Sequence, residues 1–106
     1  MPRPKQTTSR YRRRIEVLFS AGGQAPHIGF SGNISMAGVM VRTPRVHPPG
    51  TILAIELRFP KKSFRLTGKV VWAREGSIEW LASGRVGMGI KFINPPADLA
   101  EFLRQA

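Results

Sequence analysis

The residues with the clearest capacity for chemistry are arginines gathered near the start of the chain. The sequence Arg10-Tyr11-Arg12-Arg13-Arg14 carries four guanidinium groups. Guanidinium forks onto phosphate oxygens and onto the acceptor edge of guanine, and it also stacks on flat bases. In an extended chain Arg10 and Arg14 lie roughly 13 Å apart, at about 3.3 Å per residue, which is enough to reach two parts of one dinucleotide. The same run also suits a nonspecific basic tail, and composition alone leaves both interpretations open.

A second candidate is the sequence Asn33-Ile34-Ser35-Met36-Ala37-Gly38, which lies between two predicted strands. Asn and Ser side chains bond to nearby backbone in turns, and Gly permits positive φ, so a well-made turn is the simplest interpretation. The same positions also offer a carbonyl oxygen, an amide donor, a hydroxyl and exposed backbone. Those groups suit the edge of a guanine.

Catalytic chemistry finds little support. His27 and His47 each lie beside proline or glycine in predicted loops, and the chain has few acidic residues to pair with them. Asp98, the only aspartate, lies near the start of a predicted helix, where the helix dipole accounts for it. Cysteine is absent, which excludes disulfides, zinc-thiolate sites, iron–sulfur clusters and a cysteine nucleophile. We therefore predict a protein that is not an enzyme and that has neither a metal nor a cofactor.

Strands must position the candidate residues, because apolar residues alternate along most of the chain. Ile15, Val17 and Phe19 share one face of a first predicted strand, and a second, residues 28–34, leads into the motif turn. Residues 39–41 form a short third strand, and residues 53–59 form a fourth that ends in a hairpin turn at residues 60–63.

The last two predicted strands are also assigned inward faces from their alternation. Those faces consist of Phe64, Leu66, Val70 and Trp72 in one strand and Val86, Met88, Ile90 and Phe92 in the other. Gly87 and Gly89 then point outward, which suggests a bend or a close approach by another group. Leu99, Phe102 and Leu103 recur at helical spacing and predict a short C-terminal helix over one end of the sheet. About six strands with regular turn signals predict a small antiparallel all-β barrel.

Length and charge limit the class of protein. At 106 residues the chain is long enough for one hydrophobic core only, which predicts a single domain over residues 10–106. From their composition we expect residues 1–9 to form a flexible basic leader. No apolar stretch follows the basic start, so we expect no export, no membrane insertion and a cytoplasmic location. The net charge of +11, from 17 Lys+Arg against 6 Asp+Glu, favours a phosphate-bearing partner.

The order and spacing of these motifs resemble the PilZ domain family. The resemblance lies in Arg10-x-x-x-Arg14 before the first strand and in Asn33-x-Ser35-x-x-Gly38 after the second. The stretch Gly87-Met88-Gly89-Ile90-Lys91-Phe92 and the stretch Gly68-Lys69-Val70-Val71-Trp72 are similar to the last and penultimate strands of that family. The resemblance covers roughly residues 10–103. It departs from the family at Asn33, where aspartate is commoner.

The resemblance implies a six-stranded barrel with a C-terminal α-helix that binds cyclic di-GMP on its outer surface. It implies guanine and phosphate contacts from Arg10 and Arg14, with Arg13 able to share or replace one of them. Asn33, Ser35 and Gly38 would hold a second guanine. The predicted function is that of a receptor or adaptor, in which the ligand orders the arginine arm and so presents a changed surface to an unidentified downstream protein.

Two other functions stay open. A small basic barrel could bind RNA or single-stranded DNA, but such proteins display several aromatic residues on one strand face. Phe59, Phe64 and Phe92 fall on apolar faces, which leaves Tyr11 and Trp80 as the candidates for stacking and argues against nucleic acid. The other alternative is a PilZ-like module that binds a partner protein without any ligand.

Overall fold

The computed structural model describes residues 11–31, 33–76 and 86–105. Six antiparallel strands form one curled half-barrel and a helix follows them, which confirms the predicted fold class. The elements are β1 (Ile15–Ser20), β2 (His27–Ser31), β3 (Gly38–Val41), β4 (Ile52–Arg58), β5 (Ser63–Arg74), β6 (Gly87–Ile93) and α1 (Ala97–Gln105). The predicted leader, residues 1–9, lies outside the described residues, and the domain boundary at residue 10 stays a prediction.

The sheet runs in the order β2-β1-β4-β5-β6-β3, so the strands that flank the motif turn form its two edges. These edges meet where Phe30 of β2 pairs with Arg42, just after β3. The N–H of Arg42 donates to the carbonyl of Phe30 at 2.7 Å, and the N–H of Phe30 donates to the carbonyl of Arg42 at 3.1 Å. Curling in this way satisfies backbone groups that an open edge would expose.

The alternation of β1 illustrates how the sequence specifies the core. Ile15, Val17 and Phe19 are buried while Glu16 is exposed, as predicted. The strand ends at Ser20, and Gly22 and Gly23 in the turn after it have φ angles of 54° and 80°, in the left-handed region that glycine adopts without steric cost. Leu99 and Leu103 of α1 are buried in the same core, and Phe102 packs against its edge. The helix therefore covers one end of the sheet, as expected.

Two predictions about β2 were wrong. The strand ends at Ser31 and does not continue to residue 34, because the Ser31 hydroxyl bonds to the backbone of Asn33. The Asn33 N–H donates to Ser31 Oγ at 3.2 Å, a local bond of the kind that competes with a strand ladder. His27, expected in a loop, is the first residue of β2 and pairs with Phe19.

The prediction for Trp72 was also wrong, because β5 contains a β-bulge. Val70 pairs with Ile90, but Trp72 pairs with Gly89, the next residue back along β6, so Val71 is the extra residue of the bulge. An inserted residue reverses the alternation beyond it. Trp72 therefore lies on the outer face, 42% exposed, and Val71 is exposed beside it.

No helix in the described ranges combines the length and the apolar character needed to cross a bilayer. The predicted cytoplasmic location stays a prediction.

Candidate functional site

The turn after β2 holds two of the predicted site residues in a hydrogen-bonded frame. Ile34 is fully buried and pairs with Val39, which fixes the turn to the core. The Ser35 N–H donates to the carbonyl of Gly38 at 3.1 Å, and the Ala37 N–H donates to Ser35 Oγ at 3.2 Å. The interpretation as a well-made turn is therefore correct. The Ser35 hydroxyl still has its own proton to donate, because its bond to Ala37 uses only a lone pair.

Gly38 has a different reason to be glycine than the sequence suggested. Its φ is not among the positive ones, so the turn does not require left-handed backbone there. The requirement comes from β6, because a Cβ on Gly38 would overlap the carbonyl oxygen of Ile90 and would lie 3.2 Å from the Cα of Lys91. Gly38 thus permits close contact between β3 and β6, and it leaves the surface above Lys91 without a side chain.

Trp72 forms a flat aromatic surface on the outer face of the sheet. Its indole lies against Gly89, where an added Cβ would overlap the ring. The predicted close approach of another group to a β6 glycine is therefore confirmed, and that group is Trp72. An exposed indole held flat against a strand is a suitable platform for stacking a nucleobase.

These features border a single groove. It has a volume of about 370 Å³ and runs over β3, β5 and β6. Asn33, Ser35 and Gly38 line it together with Trp72 and Lys91. The rest of its lining consists of Ala37, Val39, Met40, Val71, Gly89 and Ile90. A mainly apolar concave surface with a few polar groups at one side is typical of small-molecule sites.

The arginine arm is anchored beside this groove by Tyr11. The Tyr11 N–H donates to the carbonyl of Ile34 at 2.8 Å, and the Ile34 N–H donates to the carbonyl of Tyr11 at 3.1 Å. The Tyr11 ring is buried, with its centroid 4.7 Å from that of Phe59 and 6.3 Å from that of Phe102. Tyr11 is therefore a core residue, and it is not available to stack on a base.

The arginines of the predicted site do not line the groove where the structure describes them. Arg13 and Arg14 are exposed, and the guanidinium carbon of Arg14 lies 4.1 Å from the centroid of the Phe30 ring. This cation–π contact holds Arg14 on the outer face of β2. Among the described residues, neither arginine lines the groove. Arg10 and Trp80 lie outside the described residues, so the predictions for both stay untested.

A sequence model described as the PilZ domain matches residues 4–106. This chain belongs to the PilZ domain family. Among solved structures, this PilZ domain is similar to the Bacillus subtilis inhibitor of motility (MotI/DgrA), with a TM-score of 0.72 and 17% sequence identity. The match covers 96% of this chain and 49% of that one, so the PilZ domain spans about half the length of that protein. At this identity the likeness shows a shared fold. No curated protein sequence matches the chain.

PilZ domains are binding and adaptor domains and not enzymes. The described part of this PilZ domain contains no group of three or more His, Cys, Asp or Glu residues that could hold a metal ion.

Sequence reasoning missed two groove residues of this PilZ domain, Trp72 and Lys91. Lys91 follows directly from the alternation of β6, since Gly87, Gly89 and Lys91 share the outer face. Trp72 could have been suspected from Gly89, because a glycine within a strand needs a neighbour that occupies the space of its missing side chain. The bulge itself left no clear signal, since Val71 and Trp72 both fit a strand.

Proposed function

We propose that this PilZ domain is a receptor for cyclic di-GMP and that the groove on its outer face is the binding site. The observation that carries the proposal is the convergence of three separate features. The motif turn and the exposed face of Trp72 border one groove, and Tyr11, within the arginine run, is hydrogen-bonded through its backbone to Ile34 of that turn. Binding itself is the function, and no catalytic step is proposed.

Trp72 and the motif turn are suited to one guanine of the ligand. Stacking of a base on an aromatic side chain contributes roughly 1–3 kcal/mol. The Ser35 hydroxyl can donate to an acceptor on the base edge, and the Asn33 amide carries both donors and an acceptor. Asn in place of a carboxylate keeps an acceptor oxygen and carries no negative charge, which also avoids repulsion of the ligand phosphates.

The arginines supply the charge that two phosphates require. Arg13 and Arg14 are already on an ordered segment, because Tyr11 ties the chain to Ile34. We propose that ligand binding orders the part of the arm that precedes Tyr11, including Arg10. Ordering costs about 1–2 kcal/mol per residue, and each charge-assisted hydrogen bond returns roughly 1.5–3 kcal/mol. Three or four such bonds return roughly 5–12 kcal/mol, which offsets the ordering of about five residues, so only the part of the arm nearest Tyr11 has to be fixed.

The proposed output is a new surface formed by the arm on the outside of the sheet, offered to a downstream protein. In the free protein, residues 1–10 would be open to proteases, and the ligand would protect them. Limited proteolysis that removes these residues equally fast with and without cyclic di-GMP would contradict this part of the proposal.

Calorimetric titration with cyclic di-GMP at physiological salt tests the function, with GTP and cyclic di-AMP as controls. We expect selective binding at micromolar concentration or tighter. We also expect Arg14→Ala to lose most of it, because Arg14 would supply a phosphate or guanine contact. A folded protein that gives no heat with cyclic di-GMP would contradict the proposal and favour a module that binds a partner protein without ligand.

One observation gives some support to nucleic acid as a second candidate ligand. Trp72 is exposed, whereas sequence reasoning had assigned it to the core. Proteins that bind single-stranded nucleic acid use several stacking aromatics, together with a steep dependence on salt. This alternative would be favoured if the protein bound a single-stranded oligonucleotide as tightly as cyclic di-GMP and if that affinity fell steeply as the salt concentration rose.

A further inference from the structure

Two lysines face each other across β5 and β6 with no acidic partner. Lys69 and Lys91 are direct partners in the β5–β6 register, and both are exposed on the outer face. Neither forms an ion pair with an acidic group in the described ranges, which include five of the six acidic residues of the chain and leave out Glu79. Like charges directly opposite each other on neighbouring strands destabilise the sheet.

Charges over β1, β4 and the start of β5, on the same outer face, are matched. Glu56 of β4 lies 3.0 Å from Arg58 and 3.6 Å from Arg65, measured between carboxylate oxygen and guanidinium nitrogen. Arg58 also lies 3.7 Å from Glu16 of β1. The register thus pairs opposite charges over β1, β4 and the start of β5, whereas it pairs like charges where β5 meets β6.

The unmatched pair borders the groove. Lys91 lines it, and the partner of Lys91 on its other side is Gly38, which has no side chain to cover the ammonium group. Gly89, on which Trp72 lies, is two residues from Lys91 along β6, or about 7 Å. A base stacked on Trp72 would therefore have its own phosphate within reach of the two ammonium groups.

We propose that Lys69 and Lys91 form an anion subsite that binds a phosphodiester of the ligand whose base stacks on Trp72. This inference rests on the proposed function and adds a phosphate contact that is separate from the arginine arm. A bound phosphodiester places negative charge between two positive groups, so it relieves their repulsion and gains from both. The pair also leaves unmatched positive charge where β5 meets β6, and an anionic ligand would match it.

Two substitutions at the pair and one matched control test the subsite. Lys91→Gln and the double variant Lys69→Gln/Lys91→Gln remove the charges and leave polar side chains that are slightly shorter than lysine. Lys61→Gln is the control, because Lys61 is exposed in the turn between β4 and β5 and has no ion pair in the described structure. We expect Lys91→Gln to weaken cyclic di-GMP binding about tenfold by calorimetry, and Lys61→Gln to leave it within twofold.

Two further measurements separate a subsite from a general charge effect. The dependence of affinity on salt should be shallower in the double variant than in the Lys61→Gln control. Without ligand at low salt, the double variant should unfold at a higher urea concentration than the wild type, because the like-charge repulsion is gone. Unchanged affinity in the double variant would overturn the inference, and an unchanged unfolding midpoint would contradict the like-charge repulsion from which it is argued.

The possible failures can be told apart. If the wild type binds cyclic di-GMP and the double variant binds equally well, the subsite is wrong and the proposed function stands. If the wild type does not bind, the proposed function fails and the subsite fails with it. If the double variant loses affinity for a single-stranded oligonucleotide and keeps it for cyclic di-GMP, the pair serves nucleic acid and the inference is overturned.

Discussion

Replacing Gly38 with alanine should destabilise the fold, although Gly38 belongs to the motif that is expected to bind ligand. A Cβ at this position would overlap the Ile90 carbonyl oxygen and would lie 3.1 Å from the carbonyl carbon. These are backbone atoms in the middle of β6, so they cannot move aside as the end of a flexible side chain could. Strands β3 and β6 must separate, and the hydrogen bond from the Phe92 N–H to the Ala37 carbonyl, at 3.1 Å, is strained with them.

The size of the effect follows from these contacts. Overpacking in a rigid site costs about 1–3 kcal/mol, and each weakened backbone hydrogen bond costs about 0.5–1.5 kcal/mol. The lower entropy of the unfolded alanine chain offsets about 0.4–1 kcal/mol. We therefore expect Gly38→Ala to lower the free energy of unfolding by about 1–4 kcal/mol, which corresponds to a fall in Tm of roughly 5–25 °C for a domain of this size.

Urea denaturation followed by circular dichroism measures this loss, and Gly22→Ala is the control. Gly22 has a φ of 54° and no atom within 4 Å of an added Cβ, so only backbone strain of roughly 1 kcal/mol is expected there. The steric conflict with Ile90 is disproved if Gly38→Ala is as stable as the wild type, or if its free energy of unfolding falls no more than that of Gly22→Ala. Full stability with lost ligand binding would show that Gly38 serves the ligand alone.

Three further predictions follow from contacts in the structure. Trp72→Ala should weaken cyclic di-GMP binding about 10- to 100-fold by calorimetry because stacking is lost, while Trp72→Phe should keep most of the affinity; equal affinities for the two variants would contradict stacking. Tyr11→Ala should lower the free energy of unfolding by about 2–4 kcal/mol, because the ring packs against Phe59; a loss below 1 kcal/mol would contradict burial of the ring. A double-mutant cycle with Arg14→Gln and Phe30→Leu should give a coupling of about 0.5–1 kcal/mol in urea denaturation, whereas additive effects would rule out the cation–π contact.

The regular parts of the fold were predictable because local patterning and burial agree there. In β1 the alternation of apolar residues coincides with the buried positions, and the strand ends just before two glycines that adopt positive φ. Residues Leu99, Phe102 and Leu103 predicted α1 correctly, since a three-to-four residue spacing places them on one helix face.

The site was less predictable because its key features depend on contacts between distant strands. The bulge at Val71 appears only in the pairing of β5 with β6, and it moves Trp72 from the predicted inner face to the outer one. The role of Gly38 likewise depends on Ile90, which is far along the chain. The turn and the arginines were found from the sequence, and Gly89 indicated that another group approaches β6, but the pattern within one strand does not say which residue of the neighbouring strand that is.

We propose that cyclic di-GMP binds in the groove beside Trp72, and an NMR titration of the 15N-labelled protein with this ligand tests that location. We expect the resonances of the Trp72 indole N–H and of the Gly38 and Gly89 amide N–H groups to shift on binding. The amide resonances of Gly22 and Gly23 should keep their chemical shifts. Chemical-shift changes confined to the ion pairs around Glu56 would contradict this location. So would ligand binding that leaves the resonance of the Trp72 indole N–H unchanged.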